Sequence, residues 1–452
     1  MERAPALPRH RRPRAIAWQI IGQYLPLAAF AAAAFLLIRA VAGDGGPSLP
    51  PATVAAGHQA QLAENIAFWE ARAHELGDHL TLNRLSALYL QRLREAGDVA
   101  DAGRAAAAAE RALAQVPGDY ASTINLALAR VSLHEFREAE RLARAAVAAR
   151  PGRADAYAVL GDAQIALGDY ASAEESYRTY LERAPGAPAF ARQAAIAEVR
   201  GRLDLAEQFW LAAIDADRVE APADAARARV QLGNHYLTIG RLDDGRRQFD
   251  AALRAYPGYA AAQAGLARHA AMRGDDERAI DRYRQALAAI PRPEYVVELG
   301  EVLQRAGREG EAARQFALVD VIARLYEAAG VSDELTIIRY RLDHGAVTPE
   351  IIELARQAFE ARPGYLAADT YAWALYRADQ LDAARAMAGQ ALAAGTQDPV
   401  LFYHAGMIAL ARGDTAGAAA LLQRVQDLNP RFSVLHGRSA KDALARATGG
   451  TR

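Results

Sequence analysis

The chain has 452 residues, of which 53 are basic and 54 are acidic, so that its formal net charge at neutral pH is −1. It contains no cysteine, which excludes disulfides, cysteine nucleophiles and thiolate metal sites. Its only lysine is Lys441, in the context GRSAKDAL, and this excludes a phosphate-binding loop of the G-x-x-x-x-G-K-[ST] type.

The first 41 residues have the pattern of a membrane anchor. Residues 1–14 form a basic tail with five arginines, and residues 15–38 carry no charged side chain. This uncharged stretch is long enough to span a bilayer, so we predict a transmembrane helix over residues 15–41. The positive-inside rule then places residues 1–14 in the cytoplasm and everything after residue 42 outside it.

A cleavable signal peptide is the alternative, because Ala40-Val41-Ala42 has the small-x-small pattern of a signal-peptidase site. The uncharged stretch exceeds the apolar region of about 7–15 residues that signal peptides have, which favours a retained anchor. Both interpretations export the rest of the chain.

Residues 42–56 contain glycines and prolines (GDGGPSLPP) and are predicted to be a flexible linker. A helix follows over residues 57–78, with Leu62, Ile66 and Trp69 on one side. We expect it to act as an N-terminal capping helix for the region that follows.

Proline recurs at a fixed interval in the middle of the chain. Pro117, Pro151 and Pro185 are 34 residues apart, and Pro257 and Pro291 repeat that interval. A period of this length indicates a repeat array in which each unit stacks on its neighbours.

The residues between the prolines identify the kind of repeat. From residue 154 the sequence reads ADAYAVLGDAQIALGDYASAEESYRTYLERAP. Small residues, Gly161 and Ala173, stand where two helices would approach, and Tyr157, Leu160 and Tyr177 would fill the space around them. This stretch resembles a tetratricopeptide (TPR) repeat, and the resemblance to bacterial membrane-anchored TPR proteins implies an all-α, right-handed superhelical solenoid.

Ten such units are predicted within residues 79–430, and residues 431–452 are predicted to be a C-terminal capping helix and tail. The ninth unit has Asp379 in place of the usual turn glycine, and the register between residues 332 and 398 is the least regular. The units start near His79, Tyr120, Ala154, Ala187, Ala226, Ala260, Pro293, Ser332, Tyr365 and Pro399.

In the TPR family the first helix of each unit, helix A, forms the concave wall of the superhelix. Carrying over its ninth position gives Asp162, Asn234, Arg268 and Glu301. The corresponding wall of the last three units carries Tyr340, Trp373, Tyr376, Tyr403 and Met407. Aromatic side chains and methionine suit a peptide-binding groove, but burial as ordinary core is the competing interpretation of the same residues.

These features predict a non-enzymatic, membrane-anchored scaffold that binds a protein or peptide partner in its groove on the extracytoplasmic side, without a cofactor or metal. An accessory subunit of an envelope enzyme or transporter complex is the second possibility, and a secreted TPR protein after signal-peptide cleavage is a third. Six basic residues and one acidic residue lie in residues 1–41, so the remainder of the chain is mildly acidic. Such a region is a poor candidate for binding nucleic acid.

Overall fold

The computed structural model of the protein describes residues 53–217, 222–330 and 334–449. These residues form 22 α-helices joined by short turns, which confirms the predicted all-α repeat solenoid. The predicted basic tail (1–14) and transmembrane helix (15–41), and most of the linker (42–56), lie outside the described residues. Within the described residues no helix is both long and apolar enough to cross a membrane.

The helices form ten pairs flanked by a single helix at each end. The flanking helices are α1 (Thr53–Glu75) and α22 (Gly437–Ala447). The A helices are α2 (His79–Ala96), α4 (Tyr120–Ser132), α6 (Ala154–Ala166), α8 (Ala187–Val199), α10 (Pro222–Thr238), α12 (Ala260–Arg273), α14 (Pro293–Arg305), α16 (Leu335–His344), α18 (Tyr365–Arg377) and α20 (Pro399–Ala411). The B helices are α3 (Ala100–Gln115), α5 (Phe136–Ala149), α7 (Tyr170–Arg183), α9 (Leu203–Asp217), α11 (Leu242–Ala255), α13 (Asp276–Ala289), α15 (Glu309–Ala328), α17 (Pro349–Ala361), α19 (Leu381–Leu392) and α21 (Thr415–Leu428).

Eight of the ten A helices begin at the residue where the sequence places a repeat start. The exceptions are the fifth repeat, whose helix begins at Pro222 instead of Ala226, and the eighth, whose helix begins at Leu335 instead of Ser332. Each exception directly follows a short segment outside the described residues. The pairs are numbered below as repeats one to ten.

In the third, fifth, seventh and tenth repeats, the two helices meet where a glycine of helix A faces a large side chain of helix B. A Cβ atom on Gly161 would overlap the ring of Tyr177, and one on Gly233 would lie 2.5 Å from the ring of Phe249. Tyr177 and Phe249 are almost completely buried. Glycine is therefore required at this position by close approach, as the sequence predicted for Gly161 and Tyr177.

The eighth repeat passes through Gly345 at φ −106°, but each of the other nine repeats has, between helices A and B, a residue with left-handed backbone geometry. Glycine supplies it in most repeats, for example Gly240 (φ +77°) and Gly274 (φ +83°). In the ninth repeat Asp379 adopts the same geometry (φ +59°), and in the second His134 does so (φ +61°). Asp and His are among the residues that tolerate this region, so these repeats keep the turn without glycine.

Successive turns of the superhelix touch each other at these A–B turns. A Cβ atom on Gly168 would lie 2.7 Å from the carbonyl oxygen of Pro363, and the hydroxyl of Tyr170 accepts a hydrogen bond of 2.7 Å from the backbone N–H of Tyr365. Arg200 Nη1 donates to the carbonyl of Ala394, across 194 residues of sequence.

The contacts follow one rule along the array. The A–B turn of a repeat lies against the end of the B helix of the fifth repeat after it: Gly97 against Ile290, Gly168 against Pro363, Gly201 against Gly395, and Gly240 against Leu428. Between five and six repeats therefore complete one superhelical turn. The turn glycines of repeats six, seven and ten have no such neighbour among the described residues, where a Cβ atom on Gly274, Gly307 or Gly413 would meet nothing within 4 Å.

This rule predicts different costs for the same substitution in adjacent repeats. Gly274→Ala introduces only the strain of a left-handed alanine, about 1 kcal/mol. Gly240→Ala adds a clash, since its Cβ would lie 2.6 Å from the carbonyl oxygen of Leu428, and should cost about 1–3 kcal/mol more. Urea unfolding followed by circular dichroism measures both losses, and equal losses would contradict the contact between turns.

Candidate peptide-binding groove

The polar residues predicted for the groove form hydrogen bonds with residues of neighbouring repeats. Asp162 in α6 accepts hydrogen bonds from Arg192 in α8, at 2.9 Å from Nε and 2.8 Å from Nη2, and from the hydroxyl of Tyr177 at 2.7 Å. Its two oxygens thus join the third repeat to the fourth. The Asp162 carboxylate therefore links the A helices of these two repeats.

Asn234 and Arg268 belong to a second link of the same kind. Arg268 Nε donates to the Glu298 carboxylate at 2.9 and 3.1 Å, and Arg268 Nη1 donates to Asn234 Oδ1 at 3.2 Å. Burial alone would lower the pKa of Arg268, but the adjacent Glu298 carboxylate and the neighbouring Tyr283 and Tyr295 together raise it by more, so the guanidinium stays protonated. Repeats five, six and seven are joined through this one side chain.

Glu301 of α14 and Tyr340 of α16 both lie next to His344. Glu301 Oε1 is 3.2 Å from His344 Nε2, and the His344 ring lies 5.2 Å from Tyr340 and 4.6 Å from Phe316. Tyr340 remains partly exposed. The sequence analysis did not single out His344, although it follows Tyr340 by four residues on the same helix.

Trp373 is the centre of an aromatic cluster in repeats eight to ten. Its ring stacks on His404 at 4.1 Å and on Tyr376 at 4.8 Å, and its Nε1 donates to Asp343 Oδ1 at 2.8 Å. Only 4% of Trp373 is exposed. Of the two interpretations of Trp373, the structure therefore shows the packed one, while Tyr376 keeps partial exposure.

Tyr403 is buried because the chain after the last repeat lies over it. Its ring is 4.9 Å from His436 and 5.7 Å from Phe432, and 3% of the residue is exposed. Burial raises the pKa of its hydroxyl to about 12. Met407, one helical turn further along α20, packs at the edge of the same cluster and stays partly exposed.

A cluster of ionic and polar side chains, formed by Asp369, Arg339 and His404, packs next to these rings. Asp369 accepts from Arg339 Nη2 at 2.7 Å, and both of its oxygens are 3.0 Å from His404 Nδ1. Asp369 and His404 are buried, at 1% and 3% exposure. Burial alone would raise the pKa of Asp369, but His404 and Arg339 lower it by more.

The sequence reasoning missed Asp343, Asp369 and His404, although a signal for them exists. Ionic and polar partners on neighbouring A helices are separated by about one repeat: 30 residues for Asp162 and Arg192, 30 for Arg339 and Asp369, and 35 for Asp369 and His404. Opposite charges on A helices at this separation are therefore candidates for links between repeats. Whether the predicted groove residues bind a peptide stays a prediction.

Comparison with protein families decides the identity of the repeat. The family model for the tetratricopeptide repeat matches residues 124–188, 230–292 and 371–431. These three segments of the chain are tetratricopeptide repeats. The three matched segments lie in repeats two to three, five to six and nine to ten of this TPR array.

Comparison with curated proteins gives no significant match. Among solved structures, the TPR array is similar to a thermophilic TPR protein of Thermus thermophilus, TTC0263, with 24% identity over 40% of this chain and 92% of that one, and a TM-score of 0.35. It is similar to PilF of Pseudomonas aeruginosa with 20% identity over 49% and 96% of the two chains and a TM-score of 0.37. Human IFIT1, as a dimer with PPP-AAAA, matches with 15% identity over 69% and 72% and a TM-score of 0.45.

The buried Asp369 predicts a pH-dependent effect of its removal. Because its pKa is lowered in the folded state, the stability that it contributes is complete above pH about 4 and is lost as the pH falls through the folded-state pKa. Asp369→Asn leaves Arg339 and His404 without their carboxylate and should cost about 3 kcal/mol at pH 7. Below the folded-state pKa the variant and the wild type should converge.

Urea unfolding at pH 7 and at progressively lower pH measures this difference. Asp379→Asn is the matched control, since Asp379 is exposed and asparagine tolerates its left-handed geometry. A loss for Asp369→Asn that does not change with pH would contradict the ionic account of the site.

Proposed function

We propose that this protein is a non-enzymatic, membrane-anchored scaffold whose TPR array holds a protein or peptide partner against its A helices on the extracytoplasmic side. The observation that carries the proposal is the continuous wall of A helices, on which Tyr340, Tyr376 and Met407 keep partly exposed aromatic and thioether side chains. Such side chains are enriched at protein-binding hot spots.

A binding role is also supported by what the polar groups of the array do. Asp162, Arg268 and Asp369 each pair with a neighbouring repeat. Within residues 53–217, 222–330 and 334–449 no three His, Asp or Glu side chains are placed to hold a metal ion together.

The anchor and its orientation rest on the first 41 residues. Five arginines precede an uncharged stretch over residues 15–38, which is long enough to span a bilayer. A retained anchor would hold the TPR array at the membrane. If the partner is itself a membrane enzyme or transporter, the protein is an accessory subunit of that complex, and cleavage after residue 42 would make it a secreted TPR protein.

The orientation is testable by labelling, because the chain has no cysteine of its own. Ser48→Cys, just after the predicted transmembrane helix, should react with a membrane-impermeant thiol reagent in spheroplasts. Ala4→Cys, before that helix, should react only after the membrane is permeabilised. The opposite labelling pattern would contradict the proposed orientation.

The binding wall is testable by crosslinked capture of the partner in cells. Tyr340→Ala, Tyr376→Ala and Met407→Ala should each lower the recovery of the crosslinked partner, by about tenfold at a hot spot. Leu211→Ala is the matched control, since it removes an exposed apolar side chain from a B helix, α9. Equal recovery from all four folded variants would refute binding at this wall.

A further inference from the structure

The chain beyond the last repeat folds back over the A helices of repeats eight to ten. The ring of His436 stacks on Tyr403 at 4.9 Å, meets the Trp373 ring edge-on at 6.0 Å, and lies with Nε2 3.5 Å from Asp343 Oδ1. These three residues belong to α20, α18 and α16. One side chain therefore bridges three successive A helices on the wall that sequence analysis predicts for a ligand.

Residues 430–436, named the plug segment here, reach the wall through alternate side chains. Phe432 lies 5.7 Å from Tyr403, Val434 packs on the core cluster that Tyr340 also borders, and His436 pairs with Asp343. An aromatic, an aliphatic and an imidazole side chain of the plug segment thus contact the wall.

The plug segment is held in one conformation from both ends. Ser433 Oγ accepts hydrogen bonds from the backbone N–H groups of Leu435 (3.2 Å) and His436 (3.1 Å). Before it, Asn429 Nδ2 donates to the carbonyl of Leu237, one superhelical turn earlier, at 2.6 Å. After it, Ala440 and Ala443 of α22 are completely buried.

Capping the last repeat does not by itself require this arrangement. A helix such as α22 covers exposed apolar surface with its alanines, whereas His436 meets a specific polar group. Burial alone would raise the pKa of Asp343, but His436, His404 and the hydrogen bond from Trp373 Nε1 together lower it by more. If the plug segment leaves, the half-buried carboxylate loses one of its partners, which is unfavourable unless another donor replaces it.

We propose that the plug segment occupies in cis the site that a partner peptide occupies in trans, and that this peptide carries the same chemistry. The partner peptide presents an aromatic side chain to Tyr403 and an imidazole or another basic group to the Asp343 carboxylate. The inference rests on the proposed function, because it assumes that the wall binds a peptide. A tethered segment competes at an effective concentration of about a millimolar, so the free site is exposed only when the plug segment is displaced.

The test uses the full-length chain and a fluorescein-labelled peptide with the sequence of residues 429–437, NPRFSVLHG. In fluorescence anisotropy, the double variant Phe432→Ala/His436→Ala should bind this peptide at least about tenfold more tightly than the wild type, because the tethered competitor is weakened. Arg431→Ala changes an exposed neighbour and should bind like the wild type. A peptide that carries His436→Glu should bind at least about tenfold more weakly, because its carboxylate faces Asp343.

Equal affinities of the wild type and the double variant for the peptide would overturn the inference, as would equal binding of the peptide with glutamate. If circular dichroism shows that the double variant is unfolded, Ser433→Ala takes its place, since it removes the two hydrogen bonds to Ser433 Oγ without changing Phe432 or His436. Crosslinked capture separates the two proposals. If capture of the partner depends on Tyr376 but the labelled peptide does not bind, only the proposal for the plug segment is refuted. If the labelled peptide binds but no partner is captured, only the proposed scaffold function is refuted.

Discussion

The architecture depends on the contact between successive superhelical turns. Part of that contact is made backbone to backbone, at residues with left-handed geometry, and it leaves no room for a Cβ atom at Gly168 or Gly240. A solenoid whose repeats contact only their sequence neighbours can bend or stretch along its length. Here long-range contacts fix the pitch of the superhelix. One of them is the hydrogen bond from the Tyr365 N–H to the Tyr170 hydroxyl, 195 residues away.

This constraint shapes what the concave wall can do. Because between five and six repeats complete a turn, the ten repeats make less than two turns, and only the first five A–B turns have a later turn to contact. The A helices are also linked side by side through Asp162, Arg268 and Asp369, each paired with a neighbouring repeat. A wall fixed in both directions would be pre-organised for the partner that we propose, because binding would then have less ordering to impose.

The local structure could be predicted from the sequence, whereas the long-range structure could not. Eight A helices begin at their predicted residues, because proline and the turn glycine mark each unit by local geometry. The approach of Gly161 to Tyr177 follows from the same repeat pattern. In contrast, the meeting of Gly240 with Leu428 depends on a small rotation per repeat, summed over five to six repeats, which no local pattern encodes.

In the candidate site, too, the local features could be predicted from the sequence and the long-range contacts could not. The sequence pattern places Tyr340, Tyr376 and Met407 on A helices, where the structure leaves them partly exposed. It does not show that Trp373 stacks on His404 or that His436 covers Tyr403, because both contacts join different repeats and the second depends on where the chain turns after Asn429. The first could have been suspected from the repeat-length spacing of Asp369 and His404.

The central claim, that successive turns touch, is most directly tested by a distance measurement between them. Arg137 Nη2 donates to the carbonyl of Glu360, 223 residues away, and the lack of native cysteine allows clean spin labelling of an Arg137→Cys/Glu360→Cys variant. Pulsed electron–electron double resonance should give a single narrow distribution at the short distance expected for two labels on neighbouring surfaces. A broad distribution, or one centred far beyond the reach of two labelled side chains, would contradict a superhelix closed by contacts between its turns.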